Sequence, residues 1–191
     1  MKKRIIAAIA TLFFVIPTLT QSALIQTAED LSPASSIFSA DLSLSGKLQT
    51  LLADLLKEPI KDQTDERLKT LVNNFLDGNR FFLSGALPEE FSATVKLSDD
   101  QWKVISDGLE KHTYGSTEVF SADMNGFAAR IGEFAVIGSE SAVHTAIDLA
   151  DGKTTNSLNS DVDYKSFVSS YFEPRLFSFT LNGEQVTKAL E

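Results

Sequence analysis

Residues 117–149 read TEVFSADMNGFAARIGEFAVIGSESAVHTAIDL, and this stretch decides the fold class. Thr117 to Ser121 and Phe127 to Ile131 are two strand-like runs joined around Asn125-Gly126, a strong hairpin signal. Glu133 to Ile137 supplies a third strand, and a helix then runs from Gly138-Ser139 through Leu149. Runs of strands with helices between them predict an α+β fold with a largely antiparallel sheet and helices packed on one face.

The residues before this stretch continue the same pattern. Pro59 is expected to stop the first helix, and Gly78 stands where a C′ glycine ends the second. Ser98 and Gln101 form a capping box that opens a third helix with Trp102 in its apolar face. The spacing of apolar residues predicts strands at 36–44, 80–87 and 91–97 and helices at 46–58, 64–76 and 98–109.

The residues after this stretch end in a strand and a helix that are similar to the start of the domain. Ile37-Phe-Ser-Ala-Asp-Leu42 compares with Leu176-Phe-Ser-Phe-Thr-Leu181, and each run leads into a helical pattern. A strand–helix unit used twice, at 35–52 and 174–191, accounts for the similarity, and chance likeness of two amphipathic strands is the alternative. If the repeat holds, either the two end strands pair to complete one sheet, or the chain is a short member of a longer repeated architecture.

The first 22 residues have the three parts of an export signal. Lys2, Lys3 and Arg4 precede the uncharged apolar run from Ile5 to Ile16. A stretch of small polar residues follows Pro17, and we place cleavage between Ser22 and Ala23. The alternative is an uncleaved segment that anchors the protein in a membrane, although the apolar run is shorter than a usual span. The expected organisation is a signal peptide at 1–22, a linker at 23–34 and a single domain at 35–191.

The composition of the chain limits the classes of partner that it is expected to bind. The chain has a net charge of −9, which becomes −12 without the first 22 residues because these hold three basic residues and no acidic ones. Such a surface repels nucleic-acid backbones and anionic headgroups, so neither nucleic acid nor a membrane surface is an expected partner. The chain has no cysteine, which excludes disulfides, thiol catalysis and a lipid-anchored lipoprotein.

Residues 134–152, which read FAVIGSESAVHTAIDLADG, are followed by Ser157-Leu158 and by an aromatic helix with Tyr164 and Phe167. This arrangement resembles the bacterial domain-of-unknown-function family 3352, over about residues 115–182. The resemblance implies an exported or membrane-anchored protein with a strand, a Gly-Ser turn, a helix and a loop of small residues. It implies no reaction, ligand or site residue.

Ser139 follows a strand and opens a helix, which is the setting of a nucleophile elbow. That motif needs glycine two residues after the serine, where Ser141 stands, so a helix cap is the preferred interpretation. His144 and Asp148 share one helix face and are expected to form a surface pair. His112 is expected at a helix end, where a cation is favoured.

Asn159, Asp161 and Asp163 alternate like the oxygen ligands of a calcium loop. The loop would need glycine where Tyr164 stands and glutamate where Ser170 stands, so helix capping is preferred. The sequence therefore predicts no catalytic, cofactor-binding or metal-binding residue, and no cofactor.

These observations favour an exported, non-enzymatic module that binds or supports a protein or another envelope component. Its location is periplasmic, at the cell surface or secreted, and its oligomeric state is left open. The first alternative is a carrier of a small apolar ligand between the helices and the phenylalanine-lined sheet, which needs a concave pocket. The second is a hydrolase with a carboxylate-based site, which needs two titratable groups in one cleft.

Overall fold

The fold is built on an antiparallel sheet, here in a computed structural model that describes residues 25–86, 90–122, 126–170 and 177–190. The strands are β1 (Phe38–Leu42), β2 (Phe81–Ala86), β3 (Glu90–Lys96), β4 (Glu110–Tyr114), β5 (Thr117–Ala122), β6 (Gly126–Ile131), β7 (Phe134–Gly138) and β8 (Phe177–Leu181). The helices are α1 (Gly46–Lys61), α2 (Glu66–Leu76), α3 (Asp99–Ser106), α4 (Glu140–Ala150), α5 (Val162–Ser169) and α6 (Gly183–Leu190).

The strands form one sheet in the order β4-β5-β6-β7-β3-β2-β1-β8, and every neighbouring pair is antiparallel. Most neighbours are consecutive strands along the chain, as is usual in sheets. The exceptions are β3 beside β7 and β1 beside β8. The predicted α+β class and antiparallel sheet are confirmed.

The core lies on both faces of the sheet. On one face, Val143 and Ile147 of α4 pack with Phe82 and Val136. On the other, Ile105 of α3 packs with Val95 and Ala135, together with half-buried residues of α2. Adjacent strand residues point to opposite faces, so Ala135 and Val136 mark the two layers. Helices therefore cover both faces, and not one face as the sequence predicted, because almost every residue of β7 is buried.

Residues 28–31, within the expected linker, belong to the fold. They form a single 3-10 turn, and Leu31 is 1% exposed within the core that α4 covers. Arg80, just before β2, reaches back to Glu29 at 3.1 Å and to Asp41 at 2.7 Å. The linker prediction was wrong for this segment because the turn fills space over the sheet and carries a buried ionic partner.

The end strands lie side by side. In the β1–β8 register, Phe38 faces Leu181 and Leu42 faces Phe177. Each strand leads after a short connection into a helix, α1 and α6 respectively. Of the two outcomes expected from a repeat, the structure has the one in which the end strands pair within one sheet.

Two predicted boundaries were wrong. Helix α1 contains Pro59 and continues to Lys61, because a proline near the last turn removes only one backbone donor. Helix α3 ends at Ser106, before Gly108, whose φ of +68° suits glycine. The residues that follow form β4, an edge strand without the apolar alternation that would have revealed it.

Candidate functional site

A concave part of the described surface lies where β1, β8, α5 and α6 meet. A cavity of about 500 Å³ opens there, and we call it the edge groove. Its apolar lining residues include Leu158, Tyr164, Leu181, Phe38, Phe167 and Phe179. Its acidic lining is Asp161, Asp163 and Glu184. A second cavity of about 430 Å³ adjoins it and shares Asp161, Asn182 and Glu184.

Helix caps hold the polar side of the edge groove in place. The Asp161 carboxylate accepts the backbone N–H of Tyr164 at 2.9 Å, which satisfies an otherwise unpaired donor at the start of α5. Asn182 plays the same part for α6 by accepting the backbone N–H of Gln185 at 3.2 Å. The sequence folds this way locally because aspartate and asparagine are strong N-caps.

Aromatic residues form the apolar side. The rings of Phe38 and Phe179 stack across the β1–β8 pair with centroids 6.3 Å apart. Burial raises the pKa of Tyr164 to about 12, and nearby Glu29 adds to the effect. The Tyr164 hydroxyl is therefore protonated at neutral pH, and it hydrogen-bonds with Ser39 of β1.

The acidic residues of the edge groove differ in whether they form ion pairs. Glu184 binds Lys188 at 2.6 Å on the exposed surface of α6. Asp161 and Asp163 form no ion pair with any residue in the described ranges. The groove therefore presents negative charge beside aromatic surface.

The outer edge of β8 borders the edge groove. Asn182 donates its backbone N–H to Ile37 at 2.8 Å, toward β1. Because backbone groups alternate in direction along a strand, Ser178 and Thr180 also face β1. The N–H and C=O groups of Phe177, Phe179 and Leu181 then point away from the sheet. Within the described ranges, no strand pairs with this edge.

The two edges of the sheet differ in chemistry. At the β4 edge, Glu110, Lys111 and His112 are exposed. Charged residues of this kind discourage another strand from adding to an edge. Strand β8 reads FSFTL and has no charge. Its Phe179 and Leu181 are 51% and 59% exposed, so this edge carries apolar surface where β4 carries charge.

Ser139 is the N-cap of α4, as predicted. Its Oγ accepts the backbone N–H of Ala142 at 3.4 Å and lies 3.3 Å from the Oγ of Ser141. The predicted pair of His144 and Asp148 takes a different form. The His144 ring stacks on Tyr114 with centroids 3.8 Å apart.

A surface cluster forms around Asp148. Its carboxylate accepts hydrogen bonds from Lys153 at 2.8 Å and from the Tyr114 hydroxyl at 2.9 Å. The hydrogen bond from Lys153 lowers the pKa of Asp148, and the hydrogen bond to Asp148 raises the pKa of Tyr114. All three groups are thereby held in their ordinary protonation states at neutral pH, which suits a structural tie between α4 and β4.

The remaining candidates have local roles. His112 lies on β4 and not at a helix end, and its Nε2 is 2.9 Å from the Oγ of Ser121. Asn159 donates to Asp30 at 2.7 Å and so ties its loop to the N-terminal turn. Among the described residues, no three histidine, cysteine, aspartate or glutamate side chains are grouped to hold a metal ion.

The predicted cleavage site at Ser22 and Ala23 lies outside the described residues. Within the described part, no helix has the length and apolar character needed to cross a bilayer. Comparisons with protein-family models, with curated proteins and with solved structures gave no match.

Sequence reasoning did not locate the edge groove. Its residues come from 36–39, 158–167 and 179–184, and only the pairing of β1 with β8 brings them together. The one available signal was the likeness of 37–42 to 176–181, which suggested that the end strands pair. It did not show that β8 would be outermost.

Proposed function

We propose that this protein is an exported, non-enzymatic, envelope-associated module that binds an extended segment of a partner protein at the outer edge of β8. The export part rests on the basic, apolar and small-residue pattern of residues 1–22. The likeness of residues 115–182 to domain-of-unknown-function family 3352 stays a prediction, and it assigns no reaction.

The observation that carries the proposal is the uncharged edge strand with outward backbone groups. Leu181 is 59% exposed, and its N–H and C=O groups point away from β1, since those of its neighbour Asn182 face β1. An extended peptide adds to such an edge through main-chain hydrogen bonds, while side-chain pockets select its sequence. The adjoining edge groove supplies those pockets.

The polar side chains that a hydrolase would use have structural roles, which favours a binding module over the carboxylate-based alternative. Ser139 and Asp161 cap helices. Asp148 is held between Lys153 and Tyr114. A catalytic site instead brings a nucleophile or base to a position where a substrate atom can reach it.

Selection from a library of displayed peptides tests the binding proposal. We expect selected peptides to lose binding to the Leu181→Lys variant and to keep it with Leu55→Lys, because Leu55 is 66% exposed on α1 and does not line the edge groove. We also expect amide-exchange protection at Leu181 on binding. Equal binding to both variants, or no selected peptide, would contradict the proposal.

Mass spectrometry of the protein recovered from the periplasm tests the export part. We expect a chain that starts at Ala23. A chain that starts at Met1 and sediments with membranes would favour the anchored alternative.

The cavity itself favours a second candidate function, the carrying of a small apolar ligand. A volume of about 500 Å³ is within the range of small-molecule sites. A neutral fluorescent probe such as 1-aminoanthracene should bind saturably, and its binding should be weaker in the Phe167→Ala variant. Probe binding should be unaffected by Phe91→Ala, since Phe91 is 50% exposed and lies outside the groove. Probe binding that is unchanged in both variants would exclude the carrier function.

A further inference from the structure

A further cavity, separate from the edge groove, lies between α3 and the strands β5 and β6. Its volume is about 380 Å³, and we call it the Trp102 pocket. Residues of the turns that follow β4 and β6 complete its wall. The side chains that line it are those of Trp102, Ser116, Thr117, Glu118, Phe120 and Arg130, and none of these lines the edge groove.

Two aromatic rings form the apolar part of the Trp102 pocket. The rings of Trp102 and Phe120 meet edge to face, with centroids 5.6 Å apart and planes at 82°. Both residues are partly exposed, so some of their ring surface is open to the cavity. The indole N–H of Trp102 has no hydrogen-bond partner among the described residues. A tryptophan N–H finds a partner when it is buried, so this donor is available to water or to a ligand.

The guanidinium of Arg130 is fixed in place but keeps unused donors. Its Nε donates to the carbonyl oxygen of Gly132 at 3.3 Å, and its Nη2 donates to that of Leu97 at 3.4 Å. The same Nη2 lies 2.7 Å from the carboxylate of Asp99. Within the described ranges Nη1 makes no hydrogen bond, which leaves its N–H groups for a ligand. A donor that is already held in one position loses little freedom when it binds.

The charges that line the Trp102 pocket are balanced. Arg130 is paired with Asp99, and Glu118 is paired with Lys111. An anionic ligand would approach Glu118 and a chain of net charge −9, whereas a cationic ligand would approach Arg130. A wholly apolar ligand would take water from both charged groups without replacing its hydrogen bonds. The lining therefore favours a neutral ligand that both donates and accepts hydrogen bonds and also has apolar surface.

A saccharide has this combination of properties. A hydroxyl group donates one hydrogen bond and accepts others, so hydroxyls of one sugar ring can accept from Arg130 and donate to Glu118. The hydroxyls of Ser116 and Thr117, which have no partner among the described residues, can serve in either role. The C–H groups on the face of a pyranose carry a slight positive charge and pack on the negative face of an aromatic ring. The volume of the cavity is within the range of small-molecule sites.

We propose that the Trp102 pocket binds a pyranose unit of a neutral saccharide. The ring face of the sugar lies against Trp102 and Phe120, and its hydroxyls bind Arg130 and Glu118. This site shares no lining residue with the edge groove beside β8, so the saccharide site and the peptide site stand or fall separately.

Proton–nitrogen correlation NMR of the full chain tests the proposal, because Trp102 is the only tryptophan and gives a single indole signal. The probes are cellotriose and N-acetylchitotriose, which are neutral, and trigalacturonate, which is anionic and of the same length. We expect at least one neutral probe to shift the indole signal and the Ser116 and Thr117 amides saturably, without shifting the Leu181 amide. We expect no shift with trigalacturonate. The proposal is overturned if neither neutral probe shifts the indole signal, or if trigalacturonate binds as tightly.

A matched pair of arginine variants tests the hydrogen bonds to the sugar. Arg130→Lys keeps the charge beside Asp99 but removes the Nη1 donors, so we expect at least about tenfold weaker binding of the neutral probe. The control is Arg67→Lys, because the guanidinium of Arg67 also donates to a backbone carbonyl, that of Asp107, and does not line the pocket. We expect unchanged binding in the control. Equal affinities in the two variants, or shifts of the Leu181 amide in place of those of the pocket, would also overturn the proposal.

Discussion

Replacing Arg80 with methionine should destabilise the protein far more than the loss of an ordinary surface ion pair. Arg80 lies 3.1 Å from Glu29 and 2.7 Å from Asp41 and places its guanidinium 5.3 Å from the centre of the Phe82 ring. The Glu29 side chain is only 9% exposed. Methionine keeps much of the apolar stem but leaves the Glu29 carboxylate buried without its partner.

The size of the effect follows from these exposures. Removing one member of a buried ion pair costs about 3 to 5 kcal/mol, because the remaining charge has lost its water and its partner. The Arg80 side chain is 38% exposed, so water can reach the vacated position, and we expect the lower end, about 3 kcal/mol. The matched variant is Lys103→Met, whose exposed pair with Asp100 at 3.2 Å should contribute less than about 1 kcal/mol.

Urea unfolding followed by tryptophan fluorescence measures both variants. Trp102 is the only tryptophan of the chain, and its ring contacts Phe120 edge-on at 5.6 Å, so its emission reports the loss of packing. The double variant Arg80→Met with Glu29→Gln should recover part of the loss, because the uncompensated charge is gone. A loss below about 1 kcal/mol for Arg80→Met would refute the reasoning, since Glu29 would then be hydrated and the N-terminal turn loosely attached.

Three further predictions test other parts of the fold. Leu31→Ala should lower the free energy of unfolding by about 2 to 5 kcal/mol in urea, since Leu31 is 1% exposed; a flexible linker would give no measurable change. The folded-state pKa of Tyr164 is raised from 10.0 to about 12, so its contribution is present below pH 10 and lost as the pH rises to 12. The free energy of unfolding, measured from urea unfolding curves, should decrease by about 2 to 3 kcal/mol between pH 10 and pH 12, and Tyr164→Phe should remove this decrease. An equal decrease in both proteins would contradict the raised pKa. Gly138→Ala should lower the free energy of unfolding by about 1 to 3 kcal/mol in thermal unfolding, because the added Cβ would lie 2.1 Å from the Phe91 carbonyl oxygen. The control Gly126→Ala should have little effect, since the nearest atom to its added Cβ is 3.8 Å away.

Local signals predicted the elements that local chemistry determines. The capping box of Ser98 and Gln101 is present with both of its hydrogen bonds. Ser139 caps α4 as expected, and Gly78 has the positive φ of a C′ glycine. In each case, the residue satisfies a backbone requirement within a few positions of itself, so no knowledge of the rest of the fold was needed.

Tertiary packing decided the features that the sequence did not predict. Residues 28–31 have the small and polar character of a linker, but Leu31 and Glu29 are buried by contacts with residues far along the chain. Strand β4 has almost no apolar alternation and exists because β5 pairs with it, from Glu110 opposite Ser121 to Tyr114 opposite Thr117. Burial and pairing of this kind come from partners distant in sequence, which periodicity alone does not identify.

The candidate site depends on the same distinction. Strands β1 and β8 share Phe-Ser at their start and leucine at their end, so their sequences predict the same amphipathic strand. In the sheet, β1 lies between β2 and β8, and its Ala40 is 5% exposed. Phe179, which pairs with Ala40, is 51% exposed, and among the described strands β8 has a neighbour on one side only. A strand pattern specifies which side chains share a face but not how many neighbours the strand has. The edge that we propose to bind a partner is therefore a property of strand order, and it becomes visible only when β1 and β8 are placed side by side.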